Sequence, residues 1–374
     1  MRTITIFYDR RGTYTLRWLK PMLVNRKEFE SLGYKVEFSS FTDYLPMGRF
    51  EGYQKSECKE INSAIVKKHD IVFLAFHHST SFLGSCQTEE RIEILKKIKS
   101  NCNTLVWLDT ADSTGTCLFD VLPYVDLYFK KQILKNLDDY CRIIWGGRTF
   151  CEYYHNILGI SDDMVTDRDY IPAEKGQLNK LRLSWNVGLG DLFALKSFHI
   201  YLRPHGIKKP EFINCDKERI LDLQYRGSGY SPIAGYPRSR SKELLSQIKD
   251  IKMCDITRKI PKTEYILEGQ NSKSILSPFG WGEICGRDFE AIVYGATMIK
   301  QSMDHCVTYP NVYQPMETYV PLKWDFSDFE EVIMQSASQK YRKIAKRAQD
   351  FYKFFFTPEG RMDFAKHIVN ELEK

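Results

Sequence analysis

The chain has 374 residues. At roughly 100–200 residues per domain this predicts two domains of similar size. Hydrophobic residues make up 43% and charged residues 27%, which excludes a largely disordered chain. The net charge of +6 is smaller than a nucleic-acid binder usually concentrates on one face, so no nucleic-acid partner is expected; it fits phosphate handling or peripheral contact with an anionic membrane.

From the start, the β-branched and aromatic run 3–8 predicts a strand, 15–32 a helix and 36–39 a second strand. Residues 59–68 read as a helix, and 70–76, apolar without alternation, as a strand buried on both faces. A helix at 89–99 and strands at 104–108 and 127–130 continue the alternation that marks a parallel sheet covered on both sides. Residues 162–179 are polar and without period, and 181–190, with Gly188 and Gly190, read as a hinged crossing between halves. A second α/β pattern follows: strand 220–225, helix 239–249, strand 274–277, helix 287–294 and strand 297–300. The remainder from 329 is helical, with a break at 357–360. The expected architecture is α/β, with two Rossmann-like domains facing each other across a cleft. Residues 1–185 form the first and 215–340 the second, and helices at about 341–374 return to the first.

No apolar stretch exceeds strand length, and Asp9 arrives before a signal-peptide core forms. None of the ten cysteines stands in a CxxC pair, so neither a zinc site nor a disulfide framework is expected. A cytoplasmic location follows as an expectation. Two basic-aromatic stretches, 15–29 and 339–356, offer peripheral membrane contact.

The chemistry concentrates in residues 273–300. A strand end is stopped by Pro278, Gly280 and Gly282 permit a tight turn around Trp281, and a helix starts near Gly286. Helix N-termini at the carboxyl ends of parallel strands bind phosphate through free N–H groups and the positive dipole end. Phe289, Ile292, Val293 and Ala296 form the core stripe of this helix, while Arg287, Glu290 and Tyr294 lie on its other side, with Glu283 in the turn. An Arg can grip a diphosphate and a carboxylate can accept both hydroxyls of a ribose, which suits a nucleotide-sugar.

The string Pro-Phe-Gly-Trp-Gly-Glu-x-x-x-Arg-Asp-Phe-Glu-Ala-x-x-x-Gly-Ala at 278–296, with Glu317-Thr-Tyr-Val-Pro and Trp324-Asp-Phe-Ser-Asp after it, resembles the C-terminal domain of bacterial GT-B glycosyltransferases. The likeness is to surface-polysaccharide and spore-maturation-like members. It is strongest over 265–332 and weaker over 105–112, 126–130 and 220–250. It implies a metal-independent glycosyl transfer from a nucleotide-sugar donor to a glycan or lipid-linked saccharide, with no cofactor beyond that donor. The C-terminal loop and helix would hold the donor through Gly280, Trp281, Gly282, Glu283, Arg287, Asp288 and Glu290. Glu290 would take the ribose, and Glu283 and Arg287 the diphosphate-sugar. Retaining members often carry two Glu residues separated by seven positions. Here Gly282 occupies the earlier position and six residues lie between Glu283 and Glu290, so retention and inversion both stay open.

Arg226, Gly227 and Ser228, with Arg238 and Arg240 beyond them, are either a second phosphate wall or a surface turn. Lys273 is either a phosphate partner or a strand-edge charge. For an inverting reaction the acceptor's base would come from the first half, where Asp109 is the first choice and Asp112, His77 and His78 are alternatives. Asp167 and Asp169 resemble the metal-binding pair of another transferase class but lie outside a strand end. An epimerase or hydrolase on the same fold, and an inactive transferase-like scaffold, are the rival readings.

Overall fold

The computed structural model describes residues 1–8, 13–40, 67–76, 88–162, 170–190 and 210–374. The run at the start forms β1 (Arg2–Tyr8), followed by α1 (Thr13–Val24), α2 (Arg26–Ser31) and β2 (Tyr34–Ser40). Next come β3 (His69–Phe76), α3 (Thr88–Lys99), β4 (Cys102–Asp109) and β5 (Leu127–Lys130). A short β6 (Gln132–Leu134) leaves this sheet, α4 (Thr149–Leu158) follows, and β7 (Leu181–Leu183) completes the far edge. The strand order is β2-β1-β3-β4-β5-β7, all parallel. The residues read as a crossing therefore begin with the last strand of this sheet.

Ile71 through Ala75 are fully buried, as a run without alternation requires. Val72, Leu74 and Phe76 pack with Ile94, Leu95 and Ile98 of α3 on one face. Ile71, Phe73 and Ala75 pack with Trp18, Leu19 and Met22 of α1 on the other. Each of the Val, Leu, Ile, Phe and Met side chains contributes roughly 1.5–3 kcal/mol of burial. Trp18 is stacked on Trp185 at 4.7 Å and donates to its carbonyl. With Lys20 also buried, Trp18 and Lys20 of the 15–29 stretch are packed rather than presented to a membrane.

The second sheet contains β8 (Leu221–Tyr225), and α5 (Tyr236–Leu245) and α6 (Lys262–Gln270) lead to β9 (Ser272–Leu276). After α7 (Gly286–Val293) come β10 (Thr297–Gln301), β11 (Cys306–Thr308) and β12 (Val320–Leu322). Its order is β12-β10-β9-β8, again parallel. The chain then forms α8 (Phe329–Met334), α9 (Gln339–Phe354) and α10 (Pro358–Glu373), with Thr357 capping α10 through the Gly360 amide.

Only α10 returns to the first sheet, where Phe364, Ala365 and Ile368 join the α1 side of its core. In α9, Tyr341, Ile344, Ala348 and Tyr352 pack into the second core, and Lys340, Arg342, Lys343 and Lys346 face solvent. A crossing runs the other way as well: Phe150, Cys151 and Tyr154 of α4 lie in the second core. β6 and β11 pair antiparallel across the seam, Gln132 opposite Thr308. The expected glycine hinge is also close-packed. A Cβ on Gly188 would stand 2.1 Å from the Phe289 ring, and its carbonyl accepts from Tyr352. Among the described residues no helix is long and apolar enough to cross a membrane.

Candidate functional site

The turn between β9 and α7 lies at the carboxyl end of the second sheet. The Gly280 amide donates to the Gly282 carbonyl at 3.0 Å. A Cβ on Gly280 would stand 2.2 Å from Arg238 Nη2, so the glycine leaves room for that guanidinium. The N-cap of α7 is Cys285, whose amide donates to Asp288 Oδ2 at 3.0 Å. Phe289, Ile292 and Val293 then bury the helix against the core, which leaves Gly286 and Arg287 to open it toward the turn.

Arg287 carries the local electrostatics. Its Nη2 donates to the Arg226 carbonyl at 2.5 Å, whereas Nε and Nη1 are closed to solvent and have no hydrogen-bond partner among the described residues. Leaving guanidinium N–H groups desolvated and unpaired is costly, and an anion's oxygens would satisfy them. Beside it stands Tyr265, whose hydroxyl donates to Glu290 Oε2 at 2.5 Å. Burial first, then Glu290, pushes the Tyr265 phenol far up, with Arg287 opposing them. Among the described residues, Glu290 Oε1 has no hydrogen-bond partner. Arg238, in the first turn of α5, donates to the Phe279 carbonyl at 3.2 Å, lies over the Tyr230 ring and meets no carboxylate among the described residues. Arg240 instead pairs with Glu243.

Several residues expected at the donor are occupied elsewhere. The Arg226 guanidinium is taken by Glu268 at 2.5 Å and by the Asp255 and Arg258 carbonyls, so only its backbone serves Arg287. Gly227 makes room for the Tyr225 hydroxyl, which a Cβ would meet at 2.2 Å, and Ser228 is exposed in the same loop. Lys273 sits at the opposite, amino end of β9, where it pairs with Asp222 at 2.7 Å; the parallel register puts it a strand's length from the turn. Asp288 is fully buried and accepts from Ser277, Tyr313, Lys300 and the Cys285 amide, which makes it a cap for α7 rather than a ligand. Tyr294 is buried rather than on the open face.

Asp109, expected as a base, ends β4 in a closed network. Lys130 Nζ at 2.8 Å, the Tyr128 hydroxyl at 2.7 Å and the Ala111 amide at 2.7 Å all donate to it. Burial alone would raise its pKa, but Lys130 and these donors hold it below the usual carboxylate range, the wrong direction for a base. Its work is to hold the 110–116 loop through Lys130, which also donates to the Thr116 carbonyl.

Glu283 is fully buried, and its hydrogen-bond donors come from the first half. Ser113 Oγ at 3.1 Å, Thr114 Oγ1 at 2.6 Å and the Thr114 amide at 3.0 Å donate to its carboxylate. Burial would raise its pKa, yet the nearby His305 and the Thr114 donors lower it to about 2. His305 Nε2 stands 3.6 Å away, a charge contact rather than a hydrogen bond. With both oxygens engaged, Glu283 is not free to hold a diphosphate-sugar.

Sequence reasoning missed Tyr265, His305 and Arg148. Arg148 Nε donates to the Trp281 carbonyl at 2.7 Å, and its guanidinium lies over the indole, which stacks on Tyr230 at 4.6 Å and remains 40% exposed. No local pattern in the sequence marks any of the three. Asp112 ion-pairs with Lys131. The candidates His77 and His78, the pair Asp167 and Asp169, and most of the helix expected at 59–68 lie outside the described residues.

No protein-family model and no curated protein matches the chain. Solved structures do match over almost its whole length. The apo lipopolysaccharide outer core galactosyltransferase WaaB superposes with a TM-score of 0.50 at 12% identity, covering 99% of both chains. HepE of Anabaena in complex with UDP-glucose gives 0.48 at 9% identity, over 98% of this chain and 99% of that one. An alpha-glucosyltransferase in complex with UDP gives 0.46 at 12% identity, over 98% of this chain and 100% of that one. The fold is GT-B, two parallel-sheet Rossmann-like units.

Proposed function

We propose that the chain is a glycosyltransferase that moves a sugar from a nucleotide-sugar, held by its C-terminal half, to a glycan or lipid-linked saccharide in surface-polysaccharide assembly. The observation that carries this reading is Arg287. It is a guanidinium with two sites closed to solvent and without a hydrogen-bond partner among the described residues, at the start of a helix on the carboxyl end of a parallel sheet. In the transfer, the bond from the sugar's anomeric carbon to the diphosphate oxygen breaks, the acceptor oxygen bonds to that carbon and gives up its proton to solvent, and the diphosphate leaves with added negative charge. Arg287, Arg238 and the first amides of α7 supply positive charge where that negative charge develops, so they bind the transition state more tightly than the ground state. The unpartnered oxygen of Glu290 is suited to ribose hydroxyls, with Tyr265 holding the other oxygen in place.

The test offers UDP-, GDP-, dTDP- and ADP-sugars together with extracts containing glycan and lipid-linked acceptors, and follows the labelled sugar. Its appearance on a saccharide supports the reading. Release as free sugar or isomerised donor refutes transfer, and failure of every corresponding nucleoside diphosphate to bind at millimolar concentration refutes the donor site.

A further inference from the structure

Three consecutive residues of the turn are gripped by the first half. Arg148 holds the Trp281 carbonyl at 2.7 Å. A Cβ on Gly282 would lie 1.8 Å from the Asp112 carbonyl oxygen, so the two loops meet backbone against backbone. Glu283 is seated by Ser113 and Thr114, with Thr114 Oγ1 at 2.6 Å the shortest of its contacts. α7 begins three residues later, at Gly286.

The gripping loop is itself braced. Lys130, fully buried, ties the Thr116 carbonyl to Asp109, Thr116 Oγ1 donates to the Gly147 carbonyl at 2.8 Å, and Tyr140 donates to the Thr114 carbonyl at 3.0 Å. Gln132 of β6 reaches the Asp112 carbonyl at 2.5 Å. A fixed set of donors therefore meets an acid whose one other contact among the described residues is the charge of His305 at 3.6 Å. A buried carboxylate with these partners specifies one geometry, because any displacement leaves it desolvated and unpaired.

We infer that Ser113 and Thr114 are positioning residues for the donor site: through Glu283 they set the backbone of the turn and with it the aim of Arg287 and the α7 amides, without touching the nucleotide. The inference rests on the donor reading above. It makes nucleotide affinity a property of the seam between the halves as well as of the C-terminal half.

The experiment titrates UDP, GDP, dTDP and ADP into the full chain, takes the tightest binder, and repeats it with Thr114→Val, Thr114→Ser, Glu283→Gln and the Thr114→Val/Glu283→Gln pair. All titrations run at a temperature where each variant retains the wild-type near-ultraviolet circular dichroism. Thr114→Val and Glu283→Gln should each weaken binding about 10-fold, the scale of one hydrogen bond to a charged group. Thr114→Ser should stay within about 2-fold, since it keeps the donor oxygen. The double variant should be little worse than either single, because both break one link. Equal affinity across the folded variants, even with lowered melting temperatures, makes the contact purely a stabilising one and overturns the inference. Losses that multiply in the double variant do the same. Failure of all four nucleotides to bind the wild type instead overturns the donor reading on which it stands.

Discussion

Glu283 makes the seam sensitive to acid in a way that can be worked out in advance. Its carboxyl pKa falls from 4.5 to about 2 on folding, a difference worth about 3 kcal/mol at 1.36 kcal/mol per unit. The sign follows from the depression. The unfolded chain binds this proton at higher pH than the folded chain does, so the contribution is complete above pH 4.5 and drains away as pH falls toward 2. Glu283→Gln removes the titration while keeping the volume, and it turns an amide N–H₂ toward donors from Ser113 and Thr114. At pH 7 the variant should therefore unfold more easily by about 2–4 kcal/mol, the scale for a buried charged partner lost from its network. Urea unfolding followed by tryptophan emission at pH 7, 5, 4 and 3 measures the gap directly. The wild-type advantage should hold at pH 7 and 5 and narrow at pH 4 and 3. A constant gap across that range, or none at pH 7, would refute the reasoning and with it the claim that Glu283 is charged and fully engaged.

His367 of α10 gives a second dependence, at higher pH. Its Nε2 lies 3.0 and 2.9 Å from the Leu183 and Ser184 carbonyls, which places a ring proton on Nε2, and burial lowers its pKa below 6.5 against the pull of those carbonyls. A depressed His is neutral when folded, so its contribution is whole above pH 6.5 and lost as pH falls below it. Wild-type thermal melts should show stability declining between pH 7 and 5.5, and His367→Gln, which retains a donor, should flatten that decline; an unchanged decline would assign it to other groups. At Gly188 the incoming methyl has no room beside Phe289, so Gly188→Ala should cost about 1–3 kcal/mol in urea unfolding; a neutral result would contradict the close-packed crossing.

Much of the fold was legible because its strands announce themselves. A run such as Ile71 to Ala75, apolar at every position, can be buried only between two layers. The helix of Arg287 was legible for the same kind of reason, since Phe289, Ile292 and Val293 fix which side faces the core. What stayed hidden depends on contacts between distant segments. β6 and β11 have three paired positions and no period to read. Nothing local shows that α4 belongs to the second core or that α9 stays with it while α10 leaves. The acids were the hardest to place. Asp109, Glu283, Asp288 and Glu290 look alike in a string of letters, and only their partners separate a loop brace, a seam contact, a helix cap and an acid with one oxygen unpartnered. Lys273 illustrates the reverse, a cation near the motif in sequence that the parallel strand carries to the opposite end of the sheet.

The central claim is that Arg287 binds the diphosphate of a nucleotide-sugar, and calorimetric titration of the tightest-binding nucleoside diphosphate into wild type, Arg287→Ala and Lys273→Ala tests it most directly. Loss of a charge-assisted, desolvated contact should weaken binding at least about 30-fold in Arg287→Ala. Lys273→Ala should bind like wild type, and all three should keep the wild-type near-ultraviolet circular dichroism at the titration temperature. Equal affinity in wild type and a folded Arg287→Ala would contradict the account.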